Sequence, residues 1–329
     1  MGDDAGRGTP AAEQYRVMAR DHFATVSPSY AAIAWAVAGD AELLARLDAL
    51  PHPKRQPNLL LGAVRYLGGP VHAPDAFLGW VHDHWPEVLD VVMTRRTQTN
   101  EARRCATLLP TLAALPGPLA LVEVGASAGL CLLPDRYAYR YATADGAVEV
   151  GTSPLVLGCR VSGPVALPAA PPEVVWRRGL DLHPLDVGDD DDVRWLESLV
   201  WPEQTDRFAV LQTALSLARR DPPQVVRGDL LTDLAELLHD APRDATVVVF
   251  HSAVLAYLRR DDRRRFAATV HGHGRDVVWV ANEAPGVVVD VDSGGHPDRF
   301  VLTRDGLPVA WTGPHGHTLT ALDDARVRS

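Results

Sequence analysis

The sequence predicts an α/β fold in which a doubly wound, mostly parallel sheet follows an N-terminal all-helical domain. Up to about residue 115, apolar residues recur at helical intervals, and Ala and Leu are frequent. After the Pro-Gly-Pro of residues 116–118, short Val- and Leu-rich runs alternate with helical segments. This alternation is typical of parallel strands joined by helices. Hydrophobic residues make up 47% of the 329 residues, which is enough to form a large core.

Composition also sets the predicted domain boundaries. Residues 1–10 are expected to form a disordered tip, residues 11–116 the helical domain and residues 117–329 the α/β domain. Helical runs such as PSYAAIAWAVAGDAELLARLDAL are interrupted by the breakers PHPKRQPN and GGPVHAP. Residues 138–172 are expected to be an insertion, a β-hairpin with a proline-rich return. Alternatively, this segment contains the second strand of the sheet.

Five runs are predicted to be buried strands because they are short and mostly apolar. They are LALVEV, EVVWRRGLDL, QVVRGDLL, ATVVVFHS and DVVWVANEA. The connections between strands are predicted to be helices near residues 127–137, 189–220, 232–240 and 260–272. The last run, RFVLTRDGLPVAWTG, contains the turn pair Asp305-Gly306, so it predicts an antiparallel hairpin.

Charge and composition argue against several classes of partner. The formal net charge is -10, so the chain gains nothing from counterion release on nucleic acid. The clearest basic run, RRDDRRRF, is broken by two Asp and is read as a solvated helix face. No run of roughly 18 apolar residues predicts a membrane span. The three cysteines form no CxxC pair, and the first residues lack a signal-peptide pattern. We therefore expect a cytoplasmic protein with a small-molecule substrate.

The most informative stretch is LALVEVGASAGL, in which Glu123 precedes Gly125, Ser127 and Gly129. A strand, a tight turn and a helix would place free backbone N–H groups and a positive helix end at one point. Small residues would let a ligand lie on the backbone. The spacing does not match the dinucleotide fingerprint, and a carboxylate at this position favours a cationic or hydrogen-bond-donating ligand. A purely structural tight turn explains the same residues equally well.

The other predicted strands also end in polar residues. In doubly wound sheets, ligands bind outside the carboxyl ends of the strands, near the point where strand order reverses. One Asp at such an end can accept both hydroxyls of a ribose, and a second can accept from the exocyclic amine of a base. The residues at these ends are Asp181, Asp229, His251, Ser252, Asn282 and Glu283.

These motifs resemble those of class I S-adenosylmethionine-dependent methyltransferases, which have a Rossmann-like fold. Glu123 to Gly129 is similar to the first motif, which meets the methionine part of the cofactor. Asp181 is similar to the ribose-binding acid, and VVVFHSAVLAYL to the fourth motif, near the methyl group. The cofactor-binding residues that the resemblance implies are Glu123, Gly125, Ser127, Gly129, Asp181, Gly228, Asp229 and Leu230.

The resemblance implies binding of S-adenosylmethionine and methyl transfer to a small acceptor. Two departures stand beside it: Ser127 replaces the middle glycine, and Asp181 lies unusually far beyond Glu123. A protein that retains the fold for sensing or binding without catalysis is one alternative. A serine hydrolase is another, because GASAG matches the nucleophile-elbow pattern G-x-S-x-G around Ser127.

Nearly the whole chain is also identified as a member of a bacterial domain-of-unknown-function family. The stretches that carry this resemblance are QTNEARRCA, VEVGASAGL, GLDLHPLDV, WPEQTDRF and VVFHSAVLAYL. This resemblance implies no particular reaction.

Four residues are predicted to take part in chemistry. His251 could act as a base at the acceptor, or could simply form a hydrogen bond at a strand end. Asn282 and Glu283 could orient the acceptor, or cap the next turn. Glu101, in the polar cluster QTNE of residues 98–101, could face the substrate, or belong to a helix start. No metal site is expected, since the histidine pairs lack a matching set of ligands.

Overall fold

The computed structural model describes residues 10–98, 100–274, 276–292 and 299–322. Residues 1–9 of the predicted N-terminal tip lie outside this description. The chain divides into two compact units. One comprises Met1–Thr99 with Asp190–Ala209, and the other comprises Asn100–Asp189 with Val210–Ser329.

The helices of the described residues are α1 (Ala11–Val17), α2 (Pro28–Val37), α3 (Ala41–Asp48), α4 (Pro57–Tyr66), α5 (Pro74–Asp83), α6 (Trp85–Thr94), α7 (Arg104–Ala113), α8 (Asp190–Ser198), α9 (Thr205–Ala218), α10 (Leu234–His239) and α11 (Arg260–His271). A π-helical turn, Met18–Phe23, follows α1. Helices α1 to α6 and α8 belong to the first unit, whereas α7 lies in the second unit with the sheet. None of these helices combines the length and the apolar character needed to cross a bilayer.

Within the first unit, α4 and α8 pack closely. Gly62 of α4 faces Trp195 and Leu199, and a methyl group there would lie 3.0 Å from the Leu199 side chain. Trp195 is fully buried, and its indole N–H donates to the backbone oxygen of Arg96 at 2.9 Å. Apolar burial and a satisfied indole therefore fix α8 against the N-terminal helices of the same unit.

The strands of the described residues are β1 (Leu119–Val124), β2 (Ala138–Thr143), β3 (Gly146–Val150), β4 (Val156–Ser162), β5 (Val174–Asp181), β6 (Val225–Arg227), β7 (Thr246–Ser252), β8 (Val277–Glu283), β9 (Phe300–Arg304), β10 (Leu307–Thr312) and β11 (Thr318–Ala321). They form one sheet in the order β3-β2-β4-β11-β10-β9-β8-β7-β1-β5-β6.

Strands β6, β5, β1, β7 and β8 are neighbours and run parallel. Strand β9 is antiparallel to β8, and it pairs with β10 across the turn at Asp305 and Gly306, as predicted. The α/β class and a mixed sheet with a substantial parallel part are therefore confirmed. All residues of β1 are buried. One sheet face packs on Phe266 and Val270 of α11 and on Leu234 and Leu238 of α10.

The helix predicted near residues 127–137 is wrong. Two 3₁₀ turns, Leu130–Leu132 and Pro134–Arg136, replace it. Gly129 adopts a left-handed conformation, with φ of 73°, and Pro134 disfavours an α conformation at the residue before it. Residues 128–134 are also buried throughout, so they lack the polar face of a surface helix.

The segment of residues 138–172 extends the same sheet. It contains the predicted hairpin, formed by β2 and β3, and also β4, which pairs with β2 and with the distant β11. The neighbour of β1 is nevertheless β5. Asp181 therefore ends the strand beside β1, as the interpretation of this segment as an insertion requires.

Candidate functional site

The candidate site lies at the carboxyl edge of the parallel strands, around the end of β1. Strands β5 and β6 lie on one side of β1, and β7 and β8 lie on the other. The chain order thus reverses direction at β1, and such a switch point is where ligands bind in open α/β sheets. Glu123 pairs in register with Gly179 of β5 and Phe250 of β7.

The turn after β1 has an alternating backbone. Gly125, Ser127 and Gly129 have φ angles of 69°, 53° and 73°, so a non-glycine residue holds the middle left-handed position. The N–H of Ser127 donates to one carboxylate oxygen of Asp181 at 2.8 Å, and the N–H of His183 donates to the other at 2.7 Å. Asp181 therefore fastens the turn to the neighbouring strand.

Side chains of the protein itself occupy the space beside both glycines. A methyl group at Gly125 would lie 2.5 Å from the Val254 side chain, and one at Gly129 would lie 2.8 Å from Pro223. Packing alone therefore requires glycine at both positions. The prediction that small residues expose bare backbone to a ligand does not hold in these two directions.

The segment of residues 100–104 connects this turn with the rest of the edge. The side-chain amide of Asn100 donates to the backbone oxygen of Ala126 at 2.7 Å and accepts from the N–H of Leu130 at 3.0 Å. Within the predicted polar cluster of residues 98–101, Thr99 lies outside the described residues. Asn100 holds both sides of the Gly-rich turn, a role that the sequence analysis did not assign.

Arg104 is the second anchor of this segment, and it is only 6% exposed. Its guanidinium donates to the backbone oxygen of Ser252 at the end of β7 and to that of Pro314 after β10, each at 2.9 Å. A methyl group at Gly316 would lie 2.5 Å from the carbonyl carbon of Arg103 and closer still to its oxygen. The loop of residues 313–317 is therefore seated directly on the 100–104 segment.

Glu123 is a buried carboxyl group at this edge. Burial raises its pKa well above the ordinary value of 4.5, the nearby Cys131 thiol raises it further, and the charge of Arg104 opposes both. The neutral acid is therefore favoured. Among the described residues, neither Oε2 of Glu123 nor Oγ of Ser127 has a hydrogen-bond partner, although both atoms are buried.

His251 does not fit the role of a general base. It is fully buried, and its Nδ1–H donates to Oε1 of Glu283 at 2.7 Å. Its Nε2 accepts from the indole N–H of Trp279 at 2.9 Å, so no lone pair remains for a substrate proton. Because side chains alternate along a strand, His251 faces Phe266 of α11, on the sheet face opposite Glu123.

Glu283 and Asn282 hold the end of β8 to its neighbours. Oε1 of Glu283 also accepts from the N–H groups of Val254 and Leu255, at 2.7 and 3.0 Å. Burial raises its pKa, but the hydrogen bonds from His251 and these amides more than offset this and leave the pKa lowered. The Glu283 carboxylate thus fixes the loop after β7. This structural role accounts for its hydrogen bonds without the predicted orientation of an acceptor.

Asn282 is fully buried, and it donates to Oγ of Ser252 at 3.0 Å. Its side-chain oxygen accepts from the hydroxyl of Thr312 at 2.6 Å. Its amide therefore links the ends of β7, β8 and β10. These hydrogen bonds give Asn282 a structural role at the carboxyl edge of the sheet. They do not include the predicted contact with an acceptor.

Three of the predicted cofactor-binding residues, Gly228, Asp229 and Leu230, follow β6. The N–H of Gly228 donates to the backbone oxygen of Asp181 at 2.9 Å, which places both strand ends together. One carboxylate oxygen of Asp229 accepts from the N–H of Leu231 at 2.8 Å, so Asp229 closes its own turn. Leu230 is half-buried and packs against the core.

Glu101 lies close to His315, a residue that was given no role in methyl transfer from the sequence. Glu101 is 4% exposed, and its Oε2 lies 3.7 Å from Nδ1 of His315, whose side chain is 42% exposed. The thiol of Cys131 donates to the backbone oxygen of Glu101 at 3.3 Å. Arg104 and His315 were missed because no local pattern marks a buried arginine or pairs residues so far apart in the chain.

Among the described residues, no histidine forms a hydrogen bond with Ser127, as the nucleophile-elbow interpretation would require. Oγ of Ser127 forms no hydrogen bond within the described residues, and both nitrogens of His251 are engaged elsewhere. A serine nucleophile requires a base within hydrogen-bonding reach. The left-handed conformation of Ser127 is therefore explained by the turn itself.

The fold and the site define an α/β protein with a buried polar cluster at the switch point of its sheet. Residues 69–320 match the model of a family described as an uncharacterized protein conserved in bacteria (DUF2332). The match covers more than half of the chain, which therefore belongs to this family. No curated protein matched the sequence.

Proposed function

We propose that the protein binds S-adenosylmethionine at the end of β1 and transfers its methyl group to a small acceptor. The observation that carries the proposal is a pair of buried polar atoms at the switch point, Oε2 of Glu123 and Oγ of Ser127, which have no hydrogen-bond partner within the described part of the chain. A buried polar group without a partner costs about 1–3 kcal/mol, and native proteins keep few of them. A ligand that donates hydrogen bonds would satisfy both atoms.

The donor set at this edge suits the cofactor. The acid of Glu123 can accept from an ammonium group once it is ionised, and Ser127 can contact the same end of the ligand. Asp181 accepts two backbone hydrogen bonds and Asp229 one. A carboxylate offers about four lone-pair sites, so both can also accept from a nucleoside. When bound, the sulfonium supplies an electrophilic methyl group.

Strand order supports a Rossmann-like, class I methyltransferase-like assignment of the fold. Strands β6, β5, β1, β7 and β8 place the first strand at the centre, with the second and third parallel strands on one side and the fourth and fifth on the other. The antiparallel β9 follows. One departure affects binding: without a helix after the turn, side chains must replace the positive helix end.

A second candidate is a protein that binds the same ligand without catalysis. The internal engagement of His251, Asn282 and Glu283 favours it, because these residues are then explained by structure alone. Both candidates predict binding of adenosyl ligands, and only the first predicts turnover.

Calorimetry with S-adenosylhomocysteine tests the proposal. Binding at about 100 times the dissociation constant stabilises the fold by roughly 2.7 kcal/mol and raises the melting temperature. Glu123→Gln should weaken binding about tenfold, since it removes a charged acceptor. Glu149→Gln, on the exposed face of β3, is the matched control and should leave binding unchanged. Absence of binding at millimolar ligand would contradict both candidates, and conversion of S-adenosylmethionine with a panel of hydroxyl and amine acceptors separates them.

A further inference from the structure

Methyl transfer to an acceptor that bears a proton needs a base, and this inference rests on the proposed function. The acceptor's lone pair forms the new bond to carbon, the electron pair of the carbon–sulfur bond stays on sulfur, and a neutral thioether leaves. One proton must then leave the acceptor oxygen or nitrogen. His251 cannot take it, because both of its ring nitrogens are engaged on the other face of the sheet.

His315 lies on the correct edge of the sheet. Strand β10 is antiparallel to β9, and β9 is antiparallel to β8. Strand β10 therefore runs in the same direction as β8 and the other parallel strands. The end of β10 at Thr312 therefore reaches the carboxyl edge of the parallel strands, and the loop that carries His315 follows it. The hydrogen bonds of Arg104 to Ser252 and Pro314 place this loop beside the end of β7.

The loop is held firmly on the 100–104 segment. Its ends are closed by backbone hydrogen bonds from Gly313 to Thr318 and from Gly316 to Gly313, each at 3.0 Å. Gly316 has φ of 78° and lies so close to Arg103 that no larger residue fits. His315 thus occupies a fixed place, with 42% of its side chain open to solvent.

Glu101 supplies the second half of a carboxylate–imidazole pair. Its buried oxygen faces Nδ1 of His315 at 3.7 Å. This separation is within ion-pair range, so an ionised Glu101 would attract the ring electrostatically when the ring carries a proton. Cys131 donates to the backbone of Glu101 and lies beside the carboxyl group of Glu123. The main chain at Glu101 therefore lies near the end of β1.

We propose that His315 is the catalytic base, that its Nε2 takes the proton of the acceptor, and that Glu101 is the positioning residue that orients the ring. The acceptor is then a molecule whose methylated atom is a hydroxyl oxygen or an amine nitrogen that carries a proton. Acceptor atoms without a proton, such as a thioether sulfur, gain nothing from this pair.

An alkylating cofactor analogue tests the position of His315 without an identified acceptor. The probe is an adenosine derivative with a 5′-aziridine in place of the sulfonium, whose ring opens when a nearby nucleophile attacks its carbon. Mass spectrometry of the full chain should find the adduct on His315, and S-adenosylhomocysteine should suppress it. The adduct should be lost in His315→Gln. It should remain in His317→Gln, the matched control, in which an exposed histidine two residues along the same loop is replaced.

The outcomes separate the two proposals. If S-adenosylhomocysteine does not bind the wild-type protein, the proposed function fails, and the assignment of His315 fails with it. If it binds but the probe labels another residue, or labels none, the assignment of His315 fails and the proposed function stands.

Glu101 is tested by its effect on the ring of His315. In protein labelled with ¹⁵N-histidine, the His315 resonances are assigned by their loss in His315→Gln. Glu101→Gln should shift them toward the other tautomer, whereas Glu101→Asp should retain the wild-type pattern. Unchanged nitrogen shifts in Glu101→Gln, with the fold intact by circular dichroism, would overturn the positioning role.

Discussion

Replacement of Gly316 by alanine tests the seat of the loop on the 100–104 segment. The new methyl group would lie 2.5 Å from the carbonyl carbon and still closer to the oxygen of Arg103, and 2.8 Å from the nitrogen of Arg104. These are backbone atoms, so they cannot rotate away. The left-handed backbone costs about 1–2 kcal/mol for a non-glycine residue, and overpacking adds about 1–3 kcal/mol. We expect Gly316→Ala to lower the free energy of unfolding by about 2–5 kcal/mol.

Gly306→Ala is the matched control. Gly306 has nearly the same φ, 77° against 78°, but no atom of the described residues lies within 4 Å of the added methyl group. Both variants reduce the entropy of the unfolded chain equally, so their difference isolates the contact with Arg103. Guanidinium denaturation of both variants gives that difference. Values within about 0.5 kcal/mol of each other, the usual range for uninvolved positions, would refute the close seat of the loop.

Three further variants address the polar groups of the edge. Glu283→Gln should cost about 1–3 kcal/mol at neutral pH. Because the pKa of Glu283 is lowered in the fold, this loss should shrink in urea titrations as pH falls from the ordinary value of 4.5 through the folded pKa. The pKa of Glu123 is raised in the fold, so the free energy of unfolding of the wild type should fall relative to that of Glu123→Gln as pH rises from acidic to neutral. A rise of this difference with pH would contradict the burial of Glu123 as a neutral acid. Asn100→Ala removes the acceptor of the Leu130 N–H and one of the two hydrogen bonds to the Ala126 oxygen, which keeps the bond from the Gly129 N–H, and should cost about 1–3 kcal/mol, measured by thermal unfolding.

The sequence was sufficient to predict the parallel strands and the C-terminal hairpin, because both depend on local patterns. Short apolar runs mark strands buried on two faces, and Asp305-Gly306 is a local turn signal. The pairing of β4 with β11 could not be predicted in this way, since the two strands are distant in the chain and neither carries a mark of its partner.

The candidate site was predicted in part. Glu123 and Asp181 lie near the ends of the neighbouring strands β1 and β5. Their positions could be predicted because each stands at the end of a run with the composition of a buried strand. The sheet face on which the His251 side chain lies could not be predicted, because an error of one residue in the strand register places a side chain on the opposite face. In addition, its hydrogen-bond partner Trp279 lies on another strand. The helix predicted after the turn does not form, although the apolar residues have helical spacing. Gly129 is left-handed, and Pro134 disfavours a helical conformation at the residue before it.

The two hydrogen bonds of Arg104 have a consequence for the order in which the chain matures during synthesis. One acceptor lies 148 residues further along, and the other lies 210 residues further along. Domains fold as the ribosome extends them from the N-terminus, yet this guanidinium can be fully desolvated only after Pro314 has emerged. The central strands can therefore assemble first, while the polar edge remains hydrated until almost the last residues are made.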